Sequence, residues 1–345
     1  MDTETMEKLE DERKRLQTKI NIGKEFLYLT RNECMKAGPT IDETLSLVHK
    51  TLVAHGKGEY EMPAKIGIHP LPEVFFHAMP AYVPSMMACG CKWIECYPDN
   101  PQKYNLPQTT SLLILNDIMS GCPISVMDGT WITAMRTPAV TAIAAGMLHP
   151  DAETFGMFGC GVQGIGHVQF ITKTLPKLKK IYVYDIRRPA MDNLIREAGA
   201  LPVPVVKAER PEEVATNCQV MSSATLIVLE PLAVVKDEWI TDGQTILPCD
   251  LNTFWDPRTQ LRADKYIVDS REEHELFASM GYFPDGLPHI SAQTGEVLAG
   301  IAKGRENEDE LIVCSNIGMS VCDVVMARAI LEKALHMGIG VRLPV

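Results

Sequence analysis

The pattern of apolar and polar residues divides the N-terminal half of the chain into helical and strand-like segments. Residues 1–20 are charged throughout, which predicts a polar helix or arm, and Thr40–Glu43 is a capping-box pattern that opens an amphipathic helix ending at Gly56. An Ala-rich helix is predicted over Pro138–Leu148. Between them, short apolar runs alternate with Pro, Gly and Asn breaks, which predicts an antiparallel sheet or a small barrel of hairpins. These runs are Lys65–Ile68, Val74–Met79, Cys91–Tyr97, Ser111–Ile118 and Pro123–Met127.

The rhythm changes to alternating strands and helices from Thr154 onward. Strands are predicted at Thr154–Phe158, Lys180–Asp185, Val203–Lys207, Val220–Thr225, Thr245–Cys249 and Lys265–Asp269, with helices at Gly164–Leu175 and Met191–Ala198. This spacing indicates a parallel, doubly wound sheet. A last amphipathic helix, over about 320–336, is predicted to pack back on the first domain. We therefore predict an α/β protein with a Rossmann-type dinucleotide domain at 131–319 and a second α/β domain at 1–130 with 320–345.

Composition narrows the class of protein. The 345 residues suit two domains, and 46% apolar with 22% charged residues is ordinary for a globular chain. A net charge of −11 repels phosphates and anionic lipid, so neither nucleic acid nor a membrane surface is expected as a partner. No apolar run approaches a membrane span or a signal core, and we expect a cytoplasmic protein. The ten cysteines lack paired C-x-x-C motifs, so we expect free thiols and no metal site.

The sharpest local signal is a glycine-rich loop, Gly159–Gly164, between a predicted strand and a predicted helix. Gly159 permits a tight turn, Gly161 lets the backbone approach a pyrophosphate, and Gly164 allows close packing of helix on strand. The N–H groups and dipole of the helix N-terminus then favour the phosphates. The alternative is a glycine-rich turn without a ligand.

An acidic residue ends the second strand of this unit. Asp185 lies 26 residues after Gly159, close to the spacing at which a carboxylate accepts the ribose hydroxyls of NAD. Its charge would repel a 2′-phosphate, whereas the next residues, Arg187 and Arg188, could hold one unless they are ordinary solvent-exposed turn residues. We expect NAD as the cofactor, with NADP possible.

The segment Met135–Ala139 suggests an anion site. Thr137 is a plausible N-cap and Pro138 a natural first-turn residue, which would place Arg136 at the mouth of a helix. An arginine there suits a bidentate grip on a carboxylate or phosphate. A surface salt bridge is the plainer interpretation of Arg136.

Motifs along most of the chain resemble the ornithine cyclodeaminase/mu-crystallin family. The amino-acid sequence around the glycine loop, Phe155–Gly161 and then Tyr184–Asp185, looks most like the archaeal alanine dehydrogenase branch. The matching pieces, in chain order, are Met62-Pro63, Met79–Ala81, Lys92, Pro98–Asn100, Leu106–Thr109, Asp128-Gly129, Ile132-Thr133, Arg136-Thr137, the glycine loop, Gly295-Glu296, Gly300, Gly304-Arg305, Asp309-Glu310, Ser315, Gly318 and Asp323.

The resemblance implies a homodimer whose N-terminal domain supplies the dimer interface and a substrate pocket wall, with the dinucleotide domain across a cleft. It implies an NAD(P)-dependent oxidoreductase that acts on the C–N bond of a small amino or imino acid, of the alanine dehydrogenase or ketimine reductase type. Two alternatives stay open: an ammonia-lyase that cyclises a diamino acid with catalytic NAD, and a non-enzymatic crystallin-like protein that binds cofactor.

The resemblance also implies site residues. Lys65, where the family usually has Arg, would hold the substrate carboxylate with Lys92 and Arg136, and Lys92 has a second interpretation as a proton shuttle. The expected cofactor contacts are Thr109, Thr137, Gly159, Gly161, Val162, Gln163, Gly164, Asp185, Ile186, Arg187, Ser223, Ala224, Thr225 and Ser315.

The family's acid/base aspartate follows the strand Thr245–Cys249, and here the pattern departs from the family. A gapless match puts Asn252 at that position. We predict Asp250, at the crevice edge of the sheet, as the acid/base, held ionised by nearby cations, and keep Asp256 in reserve. A loop cap is the alternative for Asp250. The replaced loop also suggests that the substrate is neither plain ornithine nor plain alanine.

Overall fold

A computed structural model describes residues 3–345 of the chain, with side chains from residue 6. Its strands, in chain order, are β1 (Glu25–Leu29), β2 (Ile66–Ile68), β3 (Phe75–Val83), β4 (Ala88–Cys96), β5 (Thr109–Asn116), β6 (Pro123–Asp128), β7 (Thr154–Phe158), β8 (Lys180–Tyr184), β9 (Val205–Lys207), β10 (Val220–Ser223), β11 (Thr245–Pro248), β12 (Lys265–Val268), β13 (Ile290–Gln293), β14 (Ile312–Ser315) and β15 (Val341–Pro344).

The helices, in chain order, are α1 (Thr3–Gln17), α2 (Arg31–Ala37), α3 (Ile41–Gly56), α4 (Asn100–Lys103), α5 (Thr130–Leu148), α6 (Val162–Thr174), α7 (Arg188–Glu197), α8 (Pro211–Asn217), α9 (Pro257–Leu261), α10 (Arg271–Ser279), α11 (Thr294–Leu298) and α12 (Ser320–Met337). Single 3₁₀ turns occur at Pro84–Met86 and Asp237–Trp239. The predicted capping box of α3 is present, with Thr40 and Glu43 bonding each other's backbone N–H.

The chain divides into two compact units, one running up to Arg136 and including Met319–Val345, the other Thr137–Gly318. The prediction from the sequence placed the two domain boundaries between residues 130 and 131 and between residues 319 and 320. None of the described helices is long and apolar enough to cross a membrane.

The first unit is built on a seven-stranded sheet in the order β15-β1-β6-β5-β4-β3-β2, antiparallel except for the β1–β6 pair. Helices α12, α3 and α2 pack together, and α12 lies against β3, β4 and β5. Because side chains alternate along a strand, Lys92 on β4 is buried while Trp93 is exposed on the opposite face. Strand β4 therefore carries a charged side chain on its buried face and an apolar side chain on its outer face.

The second unit is an eight-stranded sheet in the order β13-β12-β14-β11-β10-β7-β8-β9, and every neighbouring pair is parallel. The doubly wound prediction is confirmed. The chain reverses its direction of winding between β7 and β10, which is where open parallel sheets bind ligands beyond the strands' carboxyl ends. The loops after β7 and β10, with the first at Gly159–Gly164, therefore lie where a dinucleotide would bind.

Of the two predicted alternatives for the hairpins of the first unit, the antiparallel sheet is present and the small barrel is not, because the sheet is open at its edges β2 and β15. The local predictions around Pro138 were wrong. The Ala-rich helix begins at Thr130, not at Pro138, so Thr137 is inside it and is not its N-cap. The Asp128 carboxylate accepts the N–H of Trp131 at 2.8 Å and starts α5 earlier. Arg136 therefore lies in the second turn and gains little from the dipole at the helix mouth.

Candidate active site

The glycine-rich loop has the backbone geometry that a pyrophosphate site requires. Gly159 has φ +89°, and a Cβ there would lie 2.6 Å from the carbonyl oxygen of Ala224. A Cβ at Gly164 would overlap the carbonyl oxygen of Gly159, whereas one at Gly161 would meet nothing within 4 Å. The loop is thus closed toward the strand and open at Gly161, where α6 begins with an exposed Val162. Backbone N–H groups at an open helix N-terminus fit a dinucleotide pyrophosphate.

Asp185 joins this loop to the end of β8. Its carboxylate accepts the N–H of Cys160 at 2.8 Å and the N–H of Arg187 at 2.8 Å. Each oxygen keeps a second lone pair, so a ribose hydroxyl remains compatible with this geometry. Beside it Ile186 is 83% exposed, and the Arg188 side chain pairs with Glu209 on the surface. The pairing with Glu209 agrees with the interpretation of Arg188 as a turn residue.

The end of β10 and the residues that follow it are hydrogen-bonded to Asp250. Ser223 donates its hydroxyl to Asp250 Oδ1 at 2.6 Å and accepts the indole N–H of Trp255 at 2.7 Å. Thr225 donates its N–H at 3.0 Å and its hydroxyl at 2.6 Å to Asp250 Oδ2. Ala224 donates its N–H to Phe158 at the end of β7. The carboxylate of Asp250 therefore holds in place two residues predicted to contact the cofactor, Ser223 and Thr225.

Asp250 is fully buried. Burial raises the pKa of this carboxyl, and the hydrogen bonds from Ser223 and Thr225 lower it in part. Within its own unit, hydroxyl and backbone N–H donors stabilise the charge, and the expectation that the cations Lys65, Lys92 and Arg136 hold Asp250 ionised stays a prediction. A raised pKa suits a general acid, yet three hydrogen bonds and full burial favour an anchoring role.

The two other polar residues of this loop have contrasting surroundings. Asp256 is the N-cap of α9, and its bonds to Arg258 lower the pKa of the Asp256 carboxyl. Asn252 is 3% exposed, and neither polar atom of its side chain has a hydrogen-bond partner. The neutral amide of Asn252 cannot replace a titrating carboxylate.

Ser315, the last residue of β14, is fully buried and lies 2.9 Å from His274 Nε2. His274 Nδ1 lies 2.9 Å from the carbonyl of Ser270, so Nδ1 carries the proton in the neutral ring and Ser315 donates to Nε2. Thr109 begins β5 in the first unit, while Thr137 begins the second unit inside α5. Cofactor contacts by Ser315, Thr109 and Thr137 remain predictions.

The first unit contains a buried ionic triad. Lys92 Nζ donates to Asp323 Oδ2 at 2.6 Å, and Arg136 Nε donates to Asp323 Oδ1 at 3.0 Å. Lys92 and Asp323 are fully buried and Arg136 is 4% exposed. The three side chains come from β4, α5 and α12, so tertiary packing brings together two predicted carboxylate ligands and an acid.

The pKa of Lys92 is lowered to about 8, chiefly by burial, while the charge of Asp323 raises it and the charges of Arg136 and Lys65 lower it. Burial alone would raise the pKa of Asp323, but the charges of Arg136 and Lys92 outweigh it, and the pKa is lowered. Burial and the charges of Lys65, His69 and Lys92 lower the pKa of His77 to about 3, so its ring is neutral. Lys65, itself buried, is thus electrostatically coupled to Lys92 and His77.

Asp323 is the site residue whose role sequence reasoning missed. It lies in the resemblance, but no role was given to it. An acid among the apolar residues Val321, Val324 and Val325 of a buried helix was the available signal, since a buried carboxylate requires partners. In the described part of the chain, no group of three or more His, Cys, Asp or Glu residues is placed to hold a metal ion.

Known proteins match almost the whole chain. The model of the ornithine cyclodeaminase/mu-crystallin family matches residues 28–338. Alanine dehydrogenase of Archaeoglobus fulgidus is 29% identical over 92% of this chain and 97% of its own length. Two solved structures, each 28% identical and matching 92% of this chain and 99% of theirs, are Δ¹-pyrroline-2-carboxylate reductase of Thermococcus litoralis with NADH and L-proline (TM-score 0.81) and an archaeal alanine dehydrogenase dimer with bound NAD (TM-score 0.80).

Proposed function

Because the chain belongs to the ornithine cyclodeaminase/mu-crystallin family, we propose that it is an NAD-dependent enzyme of amino acid metabolism. It oxidises the Cα–N bond of a small 2-amino acid to an imine, or reduces the imine. NAD(H) accepts or supplies the hydride when bound, and NADP(H) is the less favoured cofactor. The relatives of this chain include an alanine dehydrogenase and a Δ¹-pyrroline-2-carboxylate reductase, which supports this proposal.

The observation that carries this proposal is the buried triad of Lys92, Asp323 and Arg136. Two cations share one carboxylate, with Lys65 coupled to them, so the group attracts an anion. A substrate carboxylate is the anion that amino and imino acids have in common. In an acidic protein of net charge −11, such a cluster is a local exception that supports carboxylate binding.

For proton transfer we propose Lys92 rather than Asp250. A lysine whose pKa is about 8 exchanges its proton near neutral pH, where general acids and bases work best. Asp250 accepts three hydrogen bonds from its own unit, so we propose that it mainly anchors Ser223 and Thr225. The loop residues Gly159–Gly164 hold the pyrophosphate, and Asp185 accepts a ribose hydroxyl.

We also propose a homodimer formed through the outer face of the seven-stranded sheet. Trp93, Leu112 and Ile114 are exposed there, and Trp93 stacks on Phe76 with ring centroids 5.5 Å apart. A contiguous exposed apolar surface of this kind is typical of a protein interface. Trp93→Glu should give monomers in sedimentation velocity. The ten cysteines are all free thiols, which supports the proposed cytoplasmic location.

A substrate screen tests the function. Amino acids are tested with NAD⁺, 2-oxo acids with an amine and NADH, and cyclic imines with NADH. Each reaction is followed by the absorbance of NADH and by ammonia release. We expect turnover that changes NADH stoichiometrically. Ammonia release without net NADH would place the protein with the cyclodeaminases, and cofactor binding without any turnover would favour a binding protein.

Arg136→Lys is the matched variant for this screen. It keeps the charge and loses the planar fork, so KM for the carboxylate substrate should rise while NADH affinity stays near normal. If NADH affinity falls and KM does not, the cluster is not a carboxylate site.

A further inference from the structure

We propose that Asp323 is a positioning residue of the reaction, whose carboxylate holds Lys92 and Arg136 side by side so that both cations meet one substrate carboxylate. This inference rests on the proposed function, because it takes the substrate to be a carboxylic acid. Asp323 itself touches no substrate.

The geometry assigns each oxygen of Asp323 to one cation. Oδ2 accepts from Lys92 Nζ at 2.6 Å and Oδ1 accepts from Arg136 Nε at 3.0 Å, so one planar group sets the separation of the two charges. Because the bond uses Nε of Arg136, the two Nη groups are the donors that a bidentate carboxylate contact would use. Asp323 thus orients the guanidinium as well as the ammonium group.

The supporting elements make this arrangement rigid. Asp323 lies on α12, which is buried for most of its length and packs on β3, β4 and β5, and Lys92 lies on β4 itself. Lys92 Nζ also lies 3.4 Å from Thr133 Oγ1 on α5, the helix that carries Arg136. Such a lysine keeps little of the rotamer freedom of a surface lysine.

Removing the charge of Asp323 has a predictable electrostatic consequence. The groups that act on Lys92 are Asp323 from α12, Arg136 and Thr133 from α5, Lys65 before β2, and the neutral His77 of β3. Asp323 is the carboxylate that favours the protonated amine. Without it the cations repel one another, and the pKa of Lys92 falls further below about 8.

The experiment compares Asp323→Asn with the wild type and with Glu332→Gln, a control on the same helix that breaks the ion pair with Arg328. We expect KM for the carboxylate substrate to rise about tenfold or more in Asp323→Asn, with NADH affinity unchanged. The fall in kcat/KM at alkaline pH, which follows the deprotonation of Lys92, should move to lower pH in Asp323→Asn. Wild-type KM and an unmoved alkaline limb would overturn the proposal; Glu332→Gln should change neither.

Two further measurements keep the proposal testable if Asp323→Asn folds poorly or the wild type turns over nothing. Asp323→Glu keeps the charge but moves it by one methylene, so KM should rise while the alkaline limb stays in place; an unchanged KM would count against positioning. Unfolding followed from about pH 6 to pH 8 requires no turnover. Because the folded-state pKa of Lys92 lies lower in Asp323→Asn, the free energy of unfolding of this variant should rise relative to that of the wild type as the pH increases from about 6 to about 8. A difference between the two proteins that does not change with pH would contradict the coupling.

Discussion

The Asp250→Asn variant tests whether the Asp250 carboxylate anchors the neighbouring segment or takes part in catalysis. The carboxylate accepts one hydrogen bond from Ser223 and two from Thr225. An amide can keep its oxygen toward Thr225, which donates through a fixed backbone N–H. Its NH₂ group then faces the Ser223 hydroxyl, whose oxygen already accepts from Trp255. The Ser223 proton therefore loses its acceptor.

The magnitude follows from these bonds. Three hydrogen bonds to a charged acceptor, each contributing about 1.5–3 kcal/mol, become two hydrogen bonds of neutral strength, each about 1 kcal/mol. The neutral amide also relieves the burial that raises the pKa of Asp250, which offsets part of the loss. We expect the free energy of unfolding to fall by about 2–3 kcal/mol. Because Ser223–Thr225 would loosen, NADH affinity should fall about tenfold.

The assay combines urea unfolding, NADH fluorescence titration and steady-state kinetics on the same preparation. Asp256→Asn is the control from the same loop, because it removes the ion pair with the exposed Arg258 side chain and weakens one helix cap; it should cost about 1 kcal/mol with NADH affinity retained. If Asp250→Asn unfolds and binds NADH like the wild type while kcat collapses, our reasoning is refuted and Asp250 is the acid/base.

Three more outcomes are expected. Asp185→Ser should narrow or reverse the preference for NADH over NADPH in calorimetric titration, since it removes the charge that repels a 2′-phosphate; a stronger NADH preference would contradict this. Gly161→Ala should leave the unfolding midpoint unchanged but weaken NADH binding, because its Cβ enters the open side of the loop, whereas Gly164→Ala should destabilise the fold by overlapping the Gly159 carbonyl. Because the pKa of Lys92 is lowered to about 8, chiefly by burial, KM for a carboxylate substrate should rise as pH increases past 8, and a KM flat to pH 10 would exclude a charged Lys92 from binding.

Local features could be predicted from the sequence alone. The glycine loop, the strand before it and the acid 26 residues after Gly159 depend on neighbours within one βαβ unit, as does the capping box of α3. The strand Thr154–Phe158 was predicted with the bounds that β7 has. Periodicity and caps decide such elements because the bonds involved join residues a few positions apart.

Other features depended on tertiary structure. The start of α5 was misjudged because Thr137-Pro138 reads locally as a helix start, while Asp128 begins the helix earlier and Pro138 is accommodated inside it. β1 and β15 were missed, because each is short and gains its hydrogen bonds only from distant partners in the first sheet.

The chemistry of the site also depended on the tertiary structure. The sequence singled out Lys92, Arg136 and Asp250 by residue type, motif and resemblance, but it could not show which groups face them. Lys92 and Asp323 are 231 positions apart, and only the packing of α12 on β4 makes them partners. Charge, burial and pKa are properties of the assembled surroundings, so the sequence determined which side chains are present and the tertiary structure decided how they interact.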